Sequence, residues 1–166
     1  VTGPQPGVAV FSIPGGTGAL TADRCELRGV PLAVFEDATT DNIARHLPAF
    51  GSAVNPTDLT GQVLSAPAIF NNALSHVADD PNTEALLIQF ANRGPRDLHE
   101  RREMIAKVAR DQRLPLIAGF LGDQATPQER RSYADDGIAC ARDPGQAVRY
   151  FDWIYRRREI FARAPR

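Results

Sequence analysis

Gly15, Gly16, Thr17 and Gly18 cut off an apolar run, residues 8–13, and lead at once into a helical pattern. Glycines at such a junction do one of two jobs. They let the chain turn tightly, or they let backbone N–H groups come close to an anion. The first N–H groups of a helix have no intrahelical acceptor, and the helix dipole adds partial positive charge at that end. Phosphate suits this arrangement, and the Thr17 hydroxyl would add a donor. Further along, Asn55-Pro56-Thr57-Asp58-Leu59-Thr60-Gly61 gathers polar turn formers. As local turn chemistry it needs no ligand. As a second loop at the same sheet edge, it makes Asn55, Asp58 and Thr60 the wall of an anion site.

Other chemistries find less support. Gly16-x-Gly18 is followed by Thr21 where a dinucleotide fingerprint has its third glycine, although Glu36 stands about 20 residues on, where a ribose-binding acid belongs. Dinucleotide binding therefore stays open as an alternative. No Gly-Lys-Ser/Thr follows, so this is not a P-loop. His46, His76 and His99 fall at polar or boundary positions of expected helices, without metal-ligand spacing. No Gly-x-Ser-x-Gly elbow exists. No catalytic residue and no metal ligand is expected in this chain. Cys25 and Cys140 form no Cys-x-x-Cys pair and read as reduced, semi-buried thiols. Asp23, spaced with Leu20 and Leu27, is expected on the inward stripe of its helix, in need of a partner. Arg156, Arg157 and Arg158 read as the solvated face of the last helix, or as a patch that docks another domain.

The elements that must position these groups alternate. Short apolar runs at 7–13, 31–35, 84–90, 114–120 and 137–141 read as strands, with a brief further strand at 50–54. Helical patterns cover 16–28, ended by Gly29, then a segment capped by Thr39 or Thr40 and stopped by Pro48. Others cover 66–77, 97–110, a helix capped by Thr126 with Pro127 at its first position, and a long helix from Pro144. Apolar strands alternating with helices predict an α/β fold, a parallel sheet covered on both faces. About five strands fit, in the flavodoxin-like order 2-1-3-4-5. Ligands of such sheets bind outside the C-terminal strand ends, where the glycine loop lies.

The 166 residues suffice for one domain with its own core, expected at 7–160 between a linker, 1–6, and a tail, 161–166. A net charge of −1 implies no attraction to nucleic acid or membrane. No run is long enough to span a bilayer and no signal peptide is visible, so a cytoplasmic setting is expected. The chain begins at Val1 and its one methionine is Met104, which suggests a piece of something longer.

The ordered segments VAVFSIPGGTGALTAD, RGVPLA, LPAFGSAVNPTDLTG, LPLIAGFLG and DDGIACARDPGQAVRYF resemble the NDP-forming acyl-CoA synthetases, relatives of succinyl-CoA synthetase. The resemblance runs from about Gly7 to Tyr155. It implies a ligase domain of a multidomain enzyme that joins a carboxylic acid to coenzyme A, using ATP and Mg²⁺ through an acyl phosphate and a phosphohistidine. Its partners would be CoA-binding, phosphohistidine-bearing and ATP-grasp domains, with phosphate or a similar anion at Gly15, Gly16, Thr17 and Gly18. Two departures stand out. Ser75-His76-Val77 does not match the family's Ser-His-Thr-Gly, and Ile13-Pro14 replaces Asn-Ala ahead of the glycines. The fragment alone is expected to bind no cofactor and to be inactive.

Overall fold

A computed structural model describes residues 3–64, 66–90, 95–121 and 125–163. Strands β1 (Gly7–Ser12), β2 (Thr57–Asp58), β3 (Thr83–Phe90), β4 (Leu116–Phe120) and β5 (Ala139–Ala141) form one sheet in the order β2-β1-β3-β4-β5. Every pairing is parallel. The helices are α1 (Gly15–Arg28), α2 (Asp37–Ala44), α3 (Pro67–Asp79), α4 (Pro95–Gln112), α5 (Pro127–Asp135) and α6 (Pro144–Arg163), so residues 161–163 of the expected tail are helical.

Both sheet faces are covered, which explains why the strands read as continuous apolar runs. Successive side chains alternate across a strand. Val8, Val10 and Leu87 therefore face α1 and α6, packing with Cys25, Val148 and Phe151. Ala9, Phe11 and Ile88 face the opposite layer, with Ile43, Phe70, Leu74, Ile105 and Tyr133. Phe11 meets Phe70 edge-on at 5.3 Å between ring centroids, a geometry that adds about 0.5–1.5 kcal/mol beyond burial.

Several sequence signals act as expected. Gly29 ends α1 with a left-handed φ of 66°, the conformation glycine adopts most cheaply. Thr126 caps α5 through a reciprocal pair: the Glu129 N–H donates to Thr126 Oγ1 at 3.2 Å, and the Thr126 N–H donates to Glu129 Oε2 at 2.6 Å. Helix α2 starts earlier than expected, at Asp37 after Glu36, and ends at Ala44, so His46 lies beyond it.

Two expectations are corrected. Residues 31–35 do not form the second strand; Thr57–Asp58 takes that place beside Phe11 and Ser12. The 31–35 segment makes only isolated bridges, Leu32 to Val8 and Val34 to Gln5. Pro31 has no N–H to donate, and Val34 doubles back onto Gln5, ahead of β1. The Asn55 carboxamide fills the gap. It accepts from the Val10 N–H at 2.8 Å and donates to the carbonyls of Val8 at 2.8 Å and Ala33 at 2.9 Å. The brief strand expected at 50–54 likewise reduces to one antiparallel bridge, Ser52 to Asp58.

The second correction concerns α1. Its buried residues are Gly18, Thr21 and Cys25, whereas Leu20 is 44% and Leu27 85% exposed. Asp23 is therefore exposed and needs no buried partner. The small residues face the sheet because the helix lies close upon it: a Cβ on Gly18 would stand 3.3 Å from Pro56 and 3.4 Å from Ser12.

Both cysteines are free thiols. Burial pushes the Cys25 thiol up from 9.0 to about 12. It pushes Cys140 up to about 11, against the lowering effect of Arg130. The thiolate is the nucleophile, so neither cysteine should react quickly with a thiol reagent at pH 8, and both should react in denaturant. A raised acid pKa stabilises the fold fully below the unfolded value and less above it. Denaturant melts should thus show stability falling as pH rises from 9 towards 12, and a Cys25→Ala, Cys140→Ala variant should lose that component.

Candidate functional site

Two residues, Ile13 and Pro14, separate β1 from helix α1, with Pro14 at its N-cap and no side-chain cap. The Pro14 carbonyl gathers three donors: the Thr17 N–H at 2.9 Å, the Gly18 N–H at 3.4 Å and the Ser12 hydroxyl at 2.9 Å. Of the four backbone donors expected from Gly15, Gly16, Thr17 and Gly18, the last two therefore turn back into the protein. The N–H groups of Gly15 and Gly16 lead, with no intrahelical acceptor ahead of them. Gly16 is exposed, and a Cβ there would meet nothing within 4 Å.

Beneath this first turn lies a polar row that sequence reading missed. Ser12 pairs in register with Asp58 on one side and Gln89 on the other, and Gln89 pairs with Gly119. In-register residues of parallel strands share a face, here the α1–α6 face. The available signal was a polar residue at or next to the end of each of two apolar strands: serine after Val-Ala-Val-Phe and glutamine after Leu-Leu-Ile.

Asp58 sits against the helix start. Its Oδ1 accepts from the Thr60 N–H at 2.9 Å. Its Oδ2 lies so close to Gly15 that a Cβ on Gly15 would stand 2.0 Å away. Only glycine admits that approach, which sets a carboxylate beside the positive end of α1. On the other flank Gln89 is 3% exposed. Its Nε2 donates to Thr21 Oγ1 at 2.8 Å, and the Thr21 hydroxyl donates to the Thr17 carbonyl at 2.8 Å. The Gln89 Oε1 is buried and without a partner. Gln89 lines a cleft with Thr17, Gly119, Phe120, Asp143 and Pro144 whose volume, about 10 Å³, holds a single oxygen atom of water size.

The structure thus brings Gly15, Gly16, Thr17 and Asp58 together with Ser12 and Gln89. It does not bring Asn55 to them as a ligand group, because all its amide contacts go to backbone. Thr60 is 8% exposed and takes a left-handed φ of 62°, a strained state for a β-branched residue. Glu36 is not carried to the glycine loop, since the chain turns towards Gln5 before reaching it; its N–H donates to Asp80 Oδ2 at 3.0 Å. His46 is exposed and His76 half-buried on α3, while the side chain of His99 lies outside the described residues. Arg156 pairs with Asp152 at 2.5 Å and Arg158 with Glu84 at 3.6 Å, on the exposed side of α6. Among the described residues, no group of three or more His, Cys, Asp or Glu side chains is placed to hold a metal ion. Nor is any helix among them long and apolar enough to cross a membrane.

Comparison with known proteins adds a family. A family model described as the Ligase-CoA domain matches residues 8–127. The chain is 27% identical over 157 residues to acetate–CoA ligase [ADP-forming] I of Archaeoglobus fulgidus, covering 94% of this chain and 22% of that protein. It is 24% identical over 154 residues to the α subunit of acetate–CoA ligase [ADP-forming] I of Pyrococcus furiosus, covering 90% of this chain and 32% of that one. It thus spans between a fifth and a third of the length of these relatives. Among solved structures, a protein of Pyrococcus horikoshii OT3 superposes with a TM-score of 0.76 at 23% identity, over 90% of this chain and 35% of that one. The dinucleotide-forming acetyl-coenzyme A synthetase 1 of Ca. Korarchaeum cryptofilum superposes with a TM-score of 0.72 at 18% identity, over 97% and 37%. At those identities the likeness is one of fold.

Proposed function

This chain belongs to the Ligase-CoA domain family, and from that membership we propose that it is a ligase domain, residues 7–160, of an ADP-forming acyl-CoA synthetase. The intact enzyme would join a carboxylic acid to coenzyme A with ATP and Mg²⁺, through an acyl phosphate and a phosphohistidine. Coenzyme A, nucleotide, metal and phosphohistidine belong in this reading to other domains or subunits of a cytoplasmic enzyme. This chain supplies no catalytic side chain. It supplies the N-terminus of α1, which binds phosphate or the phosphoryl group of a phosphohistidine brought by a partner domain.

One observation carries the reading: Gly15 and Gly16 present leading N–H groups at the C-terminal edge of a parallel sheet, on the 14-residue helix α1. Two oriented N–H dipoles in one turn, with the helix dipole behind them, form an anion site. Ile13-Pro14 narrows it, since proline at the N-cap removes one N–H. Titration of the ¹⁵N-labelled chain with inorganic phosphate should move the Gly15 and Gly16 amide resonances more than any others. Thr17 and Gly18, tied to Pro14, should move less. Silent resonances from Gly15 to Gly18 would sink the reading.

A further inference from the structure

We propose that the outer face of α1 and α6 is a self-complementary surface on which a second copy of this chain docks, with α1 of each copy against α6 of the other. The proposal goes beyond the ligase-domain reading and does not depend on anion binding.

Four apolar side chains mark the surface. Of the seven exposed large hydrophobic residues among those described, Leu20, Leu27, Trp153 and Ile160 lie on these two helices, a patch rather than a scatter. Leu20 and Leu27 are seven residues apart on α1. Trp153 and Ile160, 61% and 67% exposed, are seven apart on α6. Seven residues make about two helical turns, so each pair forms one stripe along the solvent side of its helix. The helices are neighbours in one layer, packed on the same core. Arg28 of α1 pairs with Asp152 of α6 at 3.3 Å. One turn earlier, Arg24 Nη1 would stand 3.2 Å from a Cβ on Gly145, near the start of α6. The helices therefore run the same way, and their stripes lie side by side. Tyr150 packs against Trp153 at 5.8 Å between ring centroids, which holds the exposed indole in place. A fixed tryptophan beside leucine, with arginines around it, is the make-up of an interface centre.

Charge selects the occupant. Arg24 and Arg28 lean towards α6 of their own copy, beside Asp143 and onto Asp152. The other exposed charges of α1 are acidic, Asp23 and Glu26. On α6 the exposed charges among the described residues are basic: Arg149, Arg156, Arg157 and Arg158. A two-fold axis along the helices sets α1 of one copy over α6 of the other, and does so twice. Acid then meets arginine on both sides of a centre formed by Leu27 and Trp153. An axis across the helices would set acid on acid and arginine on arginine, which repel. A uniformly acidic partner suits α6 and repels α1. A second copy suits both.

Sedimentation equilibrium of the chain, from micromolar to submillimolar concentration, should show a reversible monomer–dimer equilibrium. No larger species should form, because a two-fold contact closes on itself. Trp153→Ala should weaken the dimer about tenfold or more, as loss of a central aromatic anchor does. Asp23→Arg with Glu26→Arg sets arginine against arginine, and Arg149→Glu with Arg157→Glu sets acid against acid. Each double variant alone should also lose about tenfold or more. Mixed together, the two should form a heterodimer of near wild-type affinity, since both contacts are again opposite in sign. If a double variant loses its helical circular dichroism, the single changes Glu26→Arg and Arg149→Glu are mixed instead. A monomer at every concentration overturns the proposal. A dimer that no variant weakens overturns this face, and a mixture that stays monomeric overturns the pairing of α1 with α6.

Discussion

Asn55→Ala should destabilise the chain by about 3 kcal/mol and lower its melting temperature by roughly 6–12 °C. The Asn55 carboxamide makes three hydrogen bonds to backbone: from the Val10 N–H and to the carbonyls of Val8 and Ala33. Each is worth about 1 kcal/mol net, and stranding a buried backbone group costs more than the bond itself. Val8 and Val10 lie on a wholly buried strand, where water is poorly placed to replace the amide. Asn55→Asp is a sharper control. It keeps an oxygen for the Val10 N–H but sets a second oxygen against two carbonyls, so it should be no more stable than the alanine variant. A loss under 1 kcal/mol in urea melts of Asn55→Ala would mean that the 31–34 segment does not depend on this bridge.

Gly7→Ala should cost about as much, for a steric reason. A Cβ on Gly7 would stand 2.6 Å from the Pro31 oxygen, 2.6 Å from the Leu32 carbonyl carbon and 2.7 Å from the Ala33 nitrogen. All three are backbone atoms, with no side-chain end to swing aside. The 31–33 segment would have to withdraw, stretching the Val8 N–H to Pro31 bond of 2.8 Å and the Ala33 N–H to Val8 bond of 3.0 Å. Overpacking of this kind costs about 1–3 kcal/mol, and the stretched bonds add to it. Both substitutions strike one contact, that of β1 with residues 31–34. Their combined cost should therefore fall short of the sum, and a double-mutant cycle measures the coupling. Simple additivity would show that Gly7 and Asn55 act independently.

Much of the architecture was legible because its signals are local. Gly29 after a helical pattern, Thr126-Pro127 ahead of another, and apolar runs bounded by turns each depend on a few neighbouring residues. A doubly covered parallel sheet has a plain imprint, since strands buried on both faces must be apolar throughout. The misread segment shows the limit. Pro-Leu-Ala-Val-Phe has strand composition, yet the edge of the sheet is shared. Asn55 and the Thr57–Asp58 pair hold one part of β1, and 31–34 only brushes the other. No period within 31–35 reveals that a distant carboxamide will take its ladder positions. The α1 stripe was misread for a related reason. Spacing alone allows Leu20, Asp23 and Leu27 to face inward, but close approach to Ser12 and Pro56 demands small residues, and Gly18, Thr21 and Cys25 provide them.

The candidate site divides in the same way. The glycine loop and its place at the strand ends followed from sequence, because a strand running straight into a helix puts that junction at the C-terminal sheet edge. Tertiary structure decided which donors are free, turning Thr17 and Gly18 onto Pro14 and leaving Gly15 and Gly16 ahead. It also tied the Asn55 carboxamide to the backbone of β1 and Ala33, pressed Asp58 against Gly15, and set Gln89 beside Thr17 with an open oxygen. Sequence by itself determined the α/β class, the helix ends and the loop able to meet an anion, since backbone dihedral preferences and apolar periodicity act over a few residues. Tertiary structure alone decided the acceptors around that loop, because Asp58, Ser12 and Gln89 come from three strands and meet only through sheet register.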